Sequence, residues 1–452
     1  MAKFLLIQAK YGTNQIPWIP LAQITLGSAL LSKNNEVKVL DRNIDKNDES
    51  LLSTLRNFDP DIVGMTSMTG FMLLDIINVA EIVKNNSKAI VVIGGVHATA
   101  DPESLLDCKF IDYIVRGEGE EVLIEMGSLI DKKKKDFSKL KNVNYNPVRG
   151  LINLNDYPAP DYSLIHVKKY PLTIFTTSRG CPGNCTFCYN EYYWNRVVKN
   201  KCVRYYDANK TLNMITGVVD KYHIKEFMIV DDMFATMSKR TFDVCEGLSK
   251  YNVAFHAYQR VDFTQDEIMK ALKKAGCWAL QLGVESGSQR MLDFIQKNVT
   301  VQQNADAIKQ CKKYGIFVDA AFMIGLPTEK KEDVDQTAEF IRKNKPDAFN
   351  INIFMPYPGS SLFEYCLKKK LITRPETIEE WKKFFSKKTG DINVSDVPTE
   401  YLMKILKEFS KKDSLTYLKK TYRMLSSGHY RFVVSKSKNI LMRKLKLTDA
   451  YW

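Results

Sequence analysis

A short apolar run followed by a stretch of helical spacing, repeated along most of the chain and interrupted once, is the feature that most narrows the fold. Residues 3–8, 36–41, 61–66 and 89–93 are such runs, each ending in polar or glycine-bearing turns. Between them, 20–33, 50–57 and 71–85 place apolar residues at helical spacing, and Tyr113-Ile-Val-Arg116 predicts a fifth strand. Strands that alternate with helices form parallel sheets, because returning the chain to a parallel neighbour takes a crossover long enough to hold a helix. Residues 1–130 therefore predict a doubly wound, Rossmann-like α/β sheet. A polar, lysine-rich linker over 131–169 follows, carrying Lys132-Lys-Lys-Lys135 and Asp156-Tyr-Pro-Ala-Pro-Asp161. Alternation then resumes, with strands expected near 173–178, 226–230, 254–258, 279–283, 317–323 and 349–354. Six such units over 170–375 predict a partial (β/α)6 barrel. From 376 to 452 the pattern is helical and basic.

The 452 residues suit two or three domains, and 45% hydrophobic with 26% charged residues excludes a disordered, collagenous or disulfide-scaffold protein. No run approaches the roughly 18 uncharged apolar residues of a spanning helix, and the first apolar run is too short for a signal peptide. The expectation is a cytoplasmic protein, with peripheral attachment to a membrane as the alternative. Lys plus Arg number 66 against 52 Asp plus Glu, and residues 401–452 alone hold 13 basic against 3 acidic side chains. That excess reads first as a solvated helical face. Its second reading is a contact for anionic lipid or an acidic carrier through Arg431, Lys436, Lys438, Arg443, Lys444 and Lys446. No nucleic-acid partner is expected.

Open parallel sheets bind ligands beyond the carboxyl ends of their strands. In the first sheet those ends carry Ala9 to Gln15, Ser67-Met68-Thr69, Gly94-Gly95-Val96-His97-Ala98-Thr99 and Gly117-Glu118-Gly119-Glu120. No G-x-G-x-x-G follows the first strand, which disfavours a nicotinamide dinucleotide. In the barrel, the first strand runs into Ser178-Arg-Gly-Cys-Pro-Gly-Asn-Cys-Thr-Phe-Cys-Tyr189. Cys181, Cys185 and Cys188 form a C-x3-C-x2-C set whose three thiolates can hold three irons of a 4Fe-4S cluster and leave the fourth open. Zinc would call for a fourth Cys or His, for which His256 is a distant candidate. Cys108, Cys202, Cys245, Cys277, Cys311 and Cys366 are scattered and read as small core residues.

The cysteine set resembles the signature of the radical S-adenosylmethionine (SAM) superfamily, and later strand ends are similar to the rest of that pattern over roughly 170–370. The resemblance implies that Phe187 lies against the adenine of SAM. It implies that Asp231 and Asp232 in Ile229-Val-Asp-Asp-Met-Phe234 meet its methionyl end, and that Glu285 and Ser286 in Gln281-Leu-Gly-Val-Glu-Ser-Gly287 meet the ribose or amino group. Gly325 and Leu326 in Phe322-Met-Ile-Gly-Leu-Pro327 would pack on adenine, and Met355-Pro-Tyr-Pro-Gly359 would form the sixth-strand turn. Asp231-Asp232 stands where many members have Gly-Gly-Glu. The preceding sheet resembles the cobalamin-binding class of the superfamily. This implies a cobalamin held by Ser67, Met68, Thr69, Gly94, Gly95, Val96, His97, Gly117, Glu118, Gly119 and Glu120. The D-x-H-x-x-G loop is missing, so His97 is not read as a cobalt ligand.

Such a pair of parts implies reductive cleavage of SAM to a 5′-deoxyadenosyl radical and modification of an unactivated carbon, first by methyl transfer from methylcobalamin. A one-electron reductant such as flavodoxin or ferredoxin and an organic substrate are the implied partners. A radical cyclase or C–C coupling enzyme without methyl transfer is the second reading, and a non-catalytic iron–sulfur or corrinoid carrier the third. Arg260 and Gln259 are candidates for the SAM carboxylate or for a structural ion pair. Tyr189, Tyr192, Tyr193 and Trp194 would line a substrate cavity or pack the core.

Overall fold

The computed structural model describes residues 1–12, 16–193, 197–199, 203–386 and 391–409. Trp194, Cys202 and the six basic tail residues named above lie outside the described residues. The chain builds two parallel sheets. The first contains β1 (Lys3–Gln8), β2 (Glu36–Asp41), β3 (Ile62–Ser67), β4 (Ile90–Gly95) and β5 (Tyr113–Ile114), in the order β2-β1-β3-β4-β5. The second contains β6 (Thr173–Phe175), β9 (Glu226–Ile229), β10 (Ala254–Arg260), β11 (Cys277–Glu285), β12 (Phe317–Ile324) and β13 (Ala348–Ile353), in the order β13-β12-β11-β10-β9-β6. A small antiparallel ribbon, β7 (Ser178–Arg179) and β8 (Arg204–Tyr205), stands between β6 and β9 in sequence.

Every pairing within the two large sheets is parallel. The inner strands of the first sheet are near-continuous apolar runs because helices cover both faces, whereas the second sheet buries one face against helices: Phe4, Leu5 and Ile7 in β1, and Phe227, Phe255, Leu282 and Phe322 in the second sheet, are all fully buried. The helices themselves are fixed by ordinary local signals. Asn47 accepts from Ser50 N to cap Asp48–Phe58, and Thr300 with Gln303 closes a capping box on Val301–Lys313.

The segment that reads as a linker is packed, and so is the first helix of the C-terminal region. Within 131–169, Phe137 and Val143 are fully buried, and Asn144 N and Asn142 O continue the hydrogen bonding along β5. Past the barrel, the helix Ile378–Ser386 returns to the first sheet. Trp381 is fully buried there and donates from Nε1 to Asp101 Oδ2 at 2.7 Å, while Arg374 Nη2 donates to Asp101 Oδ1 at 2.7 Å. Among the described residues, no helix is long and apolar enough to cross a membrane.

Candidate active site

The cysteine segment leaves the C-terminal end of β6, and a buried carboxylate dictates its path. Asp231, on the loop after β9, accepts from Thr176 Oγ1 at 3.3 Å, Thr177 N at 2.6 Å, Ser178 N at 3.1 Å and the Thr177 hydroxyl. Burial pushes its pKa up against these bonds. The side chain is thus a latch on the segment that leads to the cysteines. Its neighbour Asp232 accepts from Gly180 N at 3.2 Å, bonds the Asn190 side chain and borders the cavity described below. Gly180 has φ 97°, in the left-handed region that favours glycine, where the chain turns toward Cys181.

Arg260, at the end of β10, lies under the same segment. Its Nε and Nη2 pair with Asp262 at 2.9 and 3.0 Å, Nη2 also donates to Lys297 O at 3.1 Å, and Nη1 approaches Cys185 Sγ at 3.7 Å. A Cβ on Gly183 would lie 2.6 Å from Arg260 Nη1, so only glycine lets the guanidinium so close. Gln259 is engaged elsewhere, holding Ala235 O and Phe263 O through Nε2 at 2.9 and 2.6 Å. Glu285 ends β11 at φ 65° and binds Lys297 Nζ at 2.8 Å, with both side chains largely buried. Burial opposes the Lys297 charge, but Glu285 and Cys185 outweigh it and its pKa is raised. A Cβ on Gly283 would lie 2.6 Å from Glu285 Oε1 and 2.9 Å from Lys297 Nζ and would push this pair aside. Lys297 carried no signal in the sequence: it follows an irregular turn and belongs to no motif.

The other expected SAM contacts are placed as follows. Ser286 is fully buried against Thr337 Oγ1 at 3.1 Å. Leu326 N donates to Glu329 at 3.0 Å and Gly325 N donates to the same carboxylate, whose pKa burial pushes up to about 8. Phe187 is half-buried against the core. Arg260 identifies the barrel's inner face, because it reaches a cysteine from that side. Two residues earlier on this face is Tyr258, in register with Gln281, which is itself in register with Asp319. The interior thus carries polar groups, and burial together with Asp319 raises Tyr258 to about 12.

The three cysteines are free thiols. Burial raises Cys181 and pushes Cys188 up to about 12, and metal, which binds thiolates, would favour their ionised forms. Among the described residues no three His, Cys, Asp or Glu side chains converge on a single ion. A mononuclear zinc needs its sulfurs about 2.3 Å from one point, whereas a cubane gives each thiolate its own iron and lets them stand apart. His256 lies four residues before Arg260 on β10, and its ring meets Trp278 edge-on. Three neighbouring free thiols suit a 4Fe-4S cluster, in which each thiolate takes its own iron and the fourth iron stays open.

Facing this segment across the gap between the sheets is a cavity of about 460 Å³, within the range of cofactor sites. Gly94, Gly95, Val96, Gly117, Glu118, Gly119 and Glu120 border it from the first sheet, and Thr176, Ser178, Arg179, Gly180, Tyr189, Asn190, Tyr193 and Asp232 from the barrel. Gly95 is at φ 96°, and a Cβ there would lie 2.5 Å from Thr66 Oγ1. Apolar Leu6, Leu26, Val92 and Val115 complete a wall of glycine backbone and hydrocarbon, which suits a broad ring such as a corrin. Ser67 supports this wall from behind, donating to Gly94 O at 2.7 Å and accepting from Ala98 N at 3.0 Å. Met68 is exposed. His97 is fully buried, with Nδ1 3.0 Å from Thr69 Oγ1 and Nε2 3.2 Å from Ser104 Oγ. Tyr189 stacks on Tyr193 and tilts against Tyr192, so the aromatic group after Cys188 both packs and borders the cavity.

Comparison with known proteins agrees with this division. Residues 175–341 match the radical SAM superfamily and residues 15–126 match a B12 binding domain. The chain is 34% identical over 386 residues to the uncharacterized methyltransferase PH0819 of Pyrococcus horikoshii, covering 81% of each chain. It is 29% identical over 344 residues to the anaerobic magnesium-protoporphyrin IX monomethyl ester cyclase of Rubrivivax gelatinosus, covering 71% of this chain and 61% of that one. The structure of the radical SAM methyltransferase TsrM from Kitasatospora setae, with cobalamin and a 4Fe-4S cluster bound, shares the fold with a TM-score of 0.70 at 16% identity, over 82% of this chain and 75% of that one. The chain belongs to the radical SAM superfamily, in the class that carries an N-terminal B12-binding domain.

Proposed function

We propose that the protein is a cobalamin-dependent radical SAM enzyme that transfers a methyl group to an unactivated carbon of an organic substrate. The observation that carries this reading is the shared cavity: one wall is the glycine-rich edge of the first sheet, and the other is formed by residues that flank the cysteines directly. When bound, the cluster and SAM supply a carbon-centred radical and the cobalamin supplies the methyl group. The chain's own residues orient and enclose. Cys181, Cys185 and Cys188 hold the cluster, Asp231 and Asp232 fix the path of their loop, and Arg260 lies against Cys185. Glu285, held by Lys297, offers a carboxylate to a polar group of SAM. Gly94, Gly95 and the Gly117–Glu120 loop present backbone to the corrin, while the apolar wall excludes water from it. Tyr258, Gln281 and Asp319 face the barrel interior as hydrogen-bonding groups for the substrate. The electron comes from a small one-electron donor such as a flavodoxin or ferredoxin.

The test is anaerobic reconstitution of the full chain. About four irons per chain and 5′-deoxyadenosine formed from SAM under reduction are expected, and both should vanish when Cys181, Cys185 and Cys188 are replaced by Ala. Retained SAM cleavage in that variant would overturn the reading. The likeness to a cyclase favours a second reading, oxidative ring formation at the same site. The product's mass separates the two, since methylation adds CH2 and oxidation removes hydrogen.

A further inference from the structure

The cysteine segment is fastened at both ends to the wall of the corrinoid cavity. At its start, Arg179 and Arg204 are paired across the β7–β8 ribbon and point at the Gly117–Glu120 loop. Arg179 Nη1 donates to Glu118 Oε1 at 2.9 Å and Nη2 donates to Glu120 Oε1 at 2.5 Å. Arg204 Nη2 and Nη1 donate to the two oxygens of Glu118, each at 2.8 Å, and Ile152 N adds a bond to Oε2 at 3.0 Å. Two cations and two anions thus meet in a largely buried lattice, with Glu120 3% and Glu118 11% exposed. At the far end, Tyr189 follows Cys188 and bonds the Thr99 side chain. Thr99 Oγ1 accepts from Gly117 N at 2.9 Å, which returns to the same loop. Cys181 to Cys188 therefore cannot shift without pulling on Glu118, Glu120 and Gly117, all of which border the cavity.

We infer that Arg179 is a positioning residue that couples the two cofactor sites, so that a corrinoid in the cavity and a cluster on the cysteines favour one another. The inference rests on the two sites proposed above. A forked guanidinium bonded to two carboxylates resists rotation in a way that a point charge does not. A ligand that orders the Gly117–Glu120 loop therefore also orders the backbone two residues ahead of Cys181. Coupling of this kind is reciprocal: if the corrinoid favours the cluster, the cluster must tighten corrinoid binding by the same factor.

Hydroxocobalamin binding to the full chain, measured by equilibrium dialysis with cobalt analysis, tests this before and after anaerobic cluster assembly. In the unaltered protein, assembly should tighten binding by about fivefold or more, the lower end of coupling between sites. In Arg179→Gln the ratio should fall to about one, and Arg179→Lys, which keeps the charge without the fork, should lie between. Equal affinities with and without cluster in the unaltered protein would overturn the coupling while leaving both sites intact. So would a full ratio in Arg179→Gln or, if that variant does not fold, a full ratio in Arg179→Lys. Failure of the unaltered protein to bind hydroxocobalamin at all would overturn the corrinoid site itself, and the coupling with it.

Discussion

The two walls of the central cavity are built by opposite means. On the barrel side, buried charges behind the lining residues set the geometry: Asp231 latches the cysteine segment, Arg260 lies beside Cys185, and Lys297 holds Glu285. On the side of the first sheet the lining is mostly backbone, with Gly94, Gly95, Gly117 and Gly119 bordering the space and the Glu118 and Glu120 carboxylates engaged by Arg179 and Arg204. On the proposed function, the contrast follows from the ligands. A small, highly charged cluster and a zwitterionic sulfonium are held by point contacts that charge can aim, whereas a broad ring is held by shape, which side chains would only obstruct.

If that contrast is right, the barrel wall should break on loss of charge and the sheet wall on gain of bulk. The largest effect is expected for Asp231→Ala, which strands the buried Thr177 and Ser178 amides. It should cost about 4 kcal/mol in denaturant unfolding and lower the iron retained after reconstitution. Lys297→Met leaves Glu285 charged and buried, and should cost about 3 kcal/mol and weaken SAM binding in a dialysis assay more than it affects iron content. On the sheet side, Gly95→Ala places a Cβ among Thr66 Oγ1 and the Ser67 backbone at left-handed φ. A loss of about 2 kcal/mol is expected, with cobalamin binding reduced and the iron complement kept; loss of iron instead would contradict the division between the walls.

The smallest effect concerns pH. Burial lowers the His97 pKa to about 4, below its ordinary value of 6.5, so the folded protein holds this imidazole neutral while the unfolded chain takes up a proton. Its contribution is complete above about pH 6.5 and is lost as pH falls toward 4, with about 2 kcal/mol of that change falling between about pH 7 and 5. His97→Gln should flatten the stability profile over that window, and an unchanged slope in urea unfolding between pH 7 and 5 would contradict the assignment.

Much of the scaffold was legible in the sequence, and the reasons are local. Ten expected strands fall within a few residues of observed ones, because a buried parallel strand needs an apolar run and little else. The eleventh, near 113–116, is shorter than its pattern and continues as a bridge to Val143. The cysteine set was legible for a chemical reason, since three thiols crowded into eight positions point to metal ligation. Side-chain direction was not legible. Asp231 and Asp232 are adjacent in sequence, yet the first turns to the Thr176–Ser178 backbone and the second to the cavity. Nor was the Arg179–Glu120 pair, whose partners are separated by 59 residues and meet only because two sheets face one another. The polar composition of 131–169 concealed Phe137, Val143, Ile152, Leu154, Tyr162 and Val167, apolar and aromatic residues whose burial docks it.

The contacts of Asp101 with Arg374 and Trp381 have a bearing on biogenesis, because they join residues 273 and 280 positions apart. Synthesis proceeds from the N-terminus and domains fold as they emerge. The first sheet is therefore finished, and its glycine edge open to a vitamin-sized guest, long before the ribosome delivers the strap that fastens the enzyme shut.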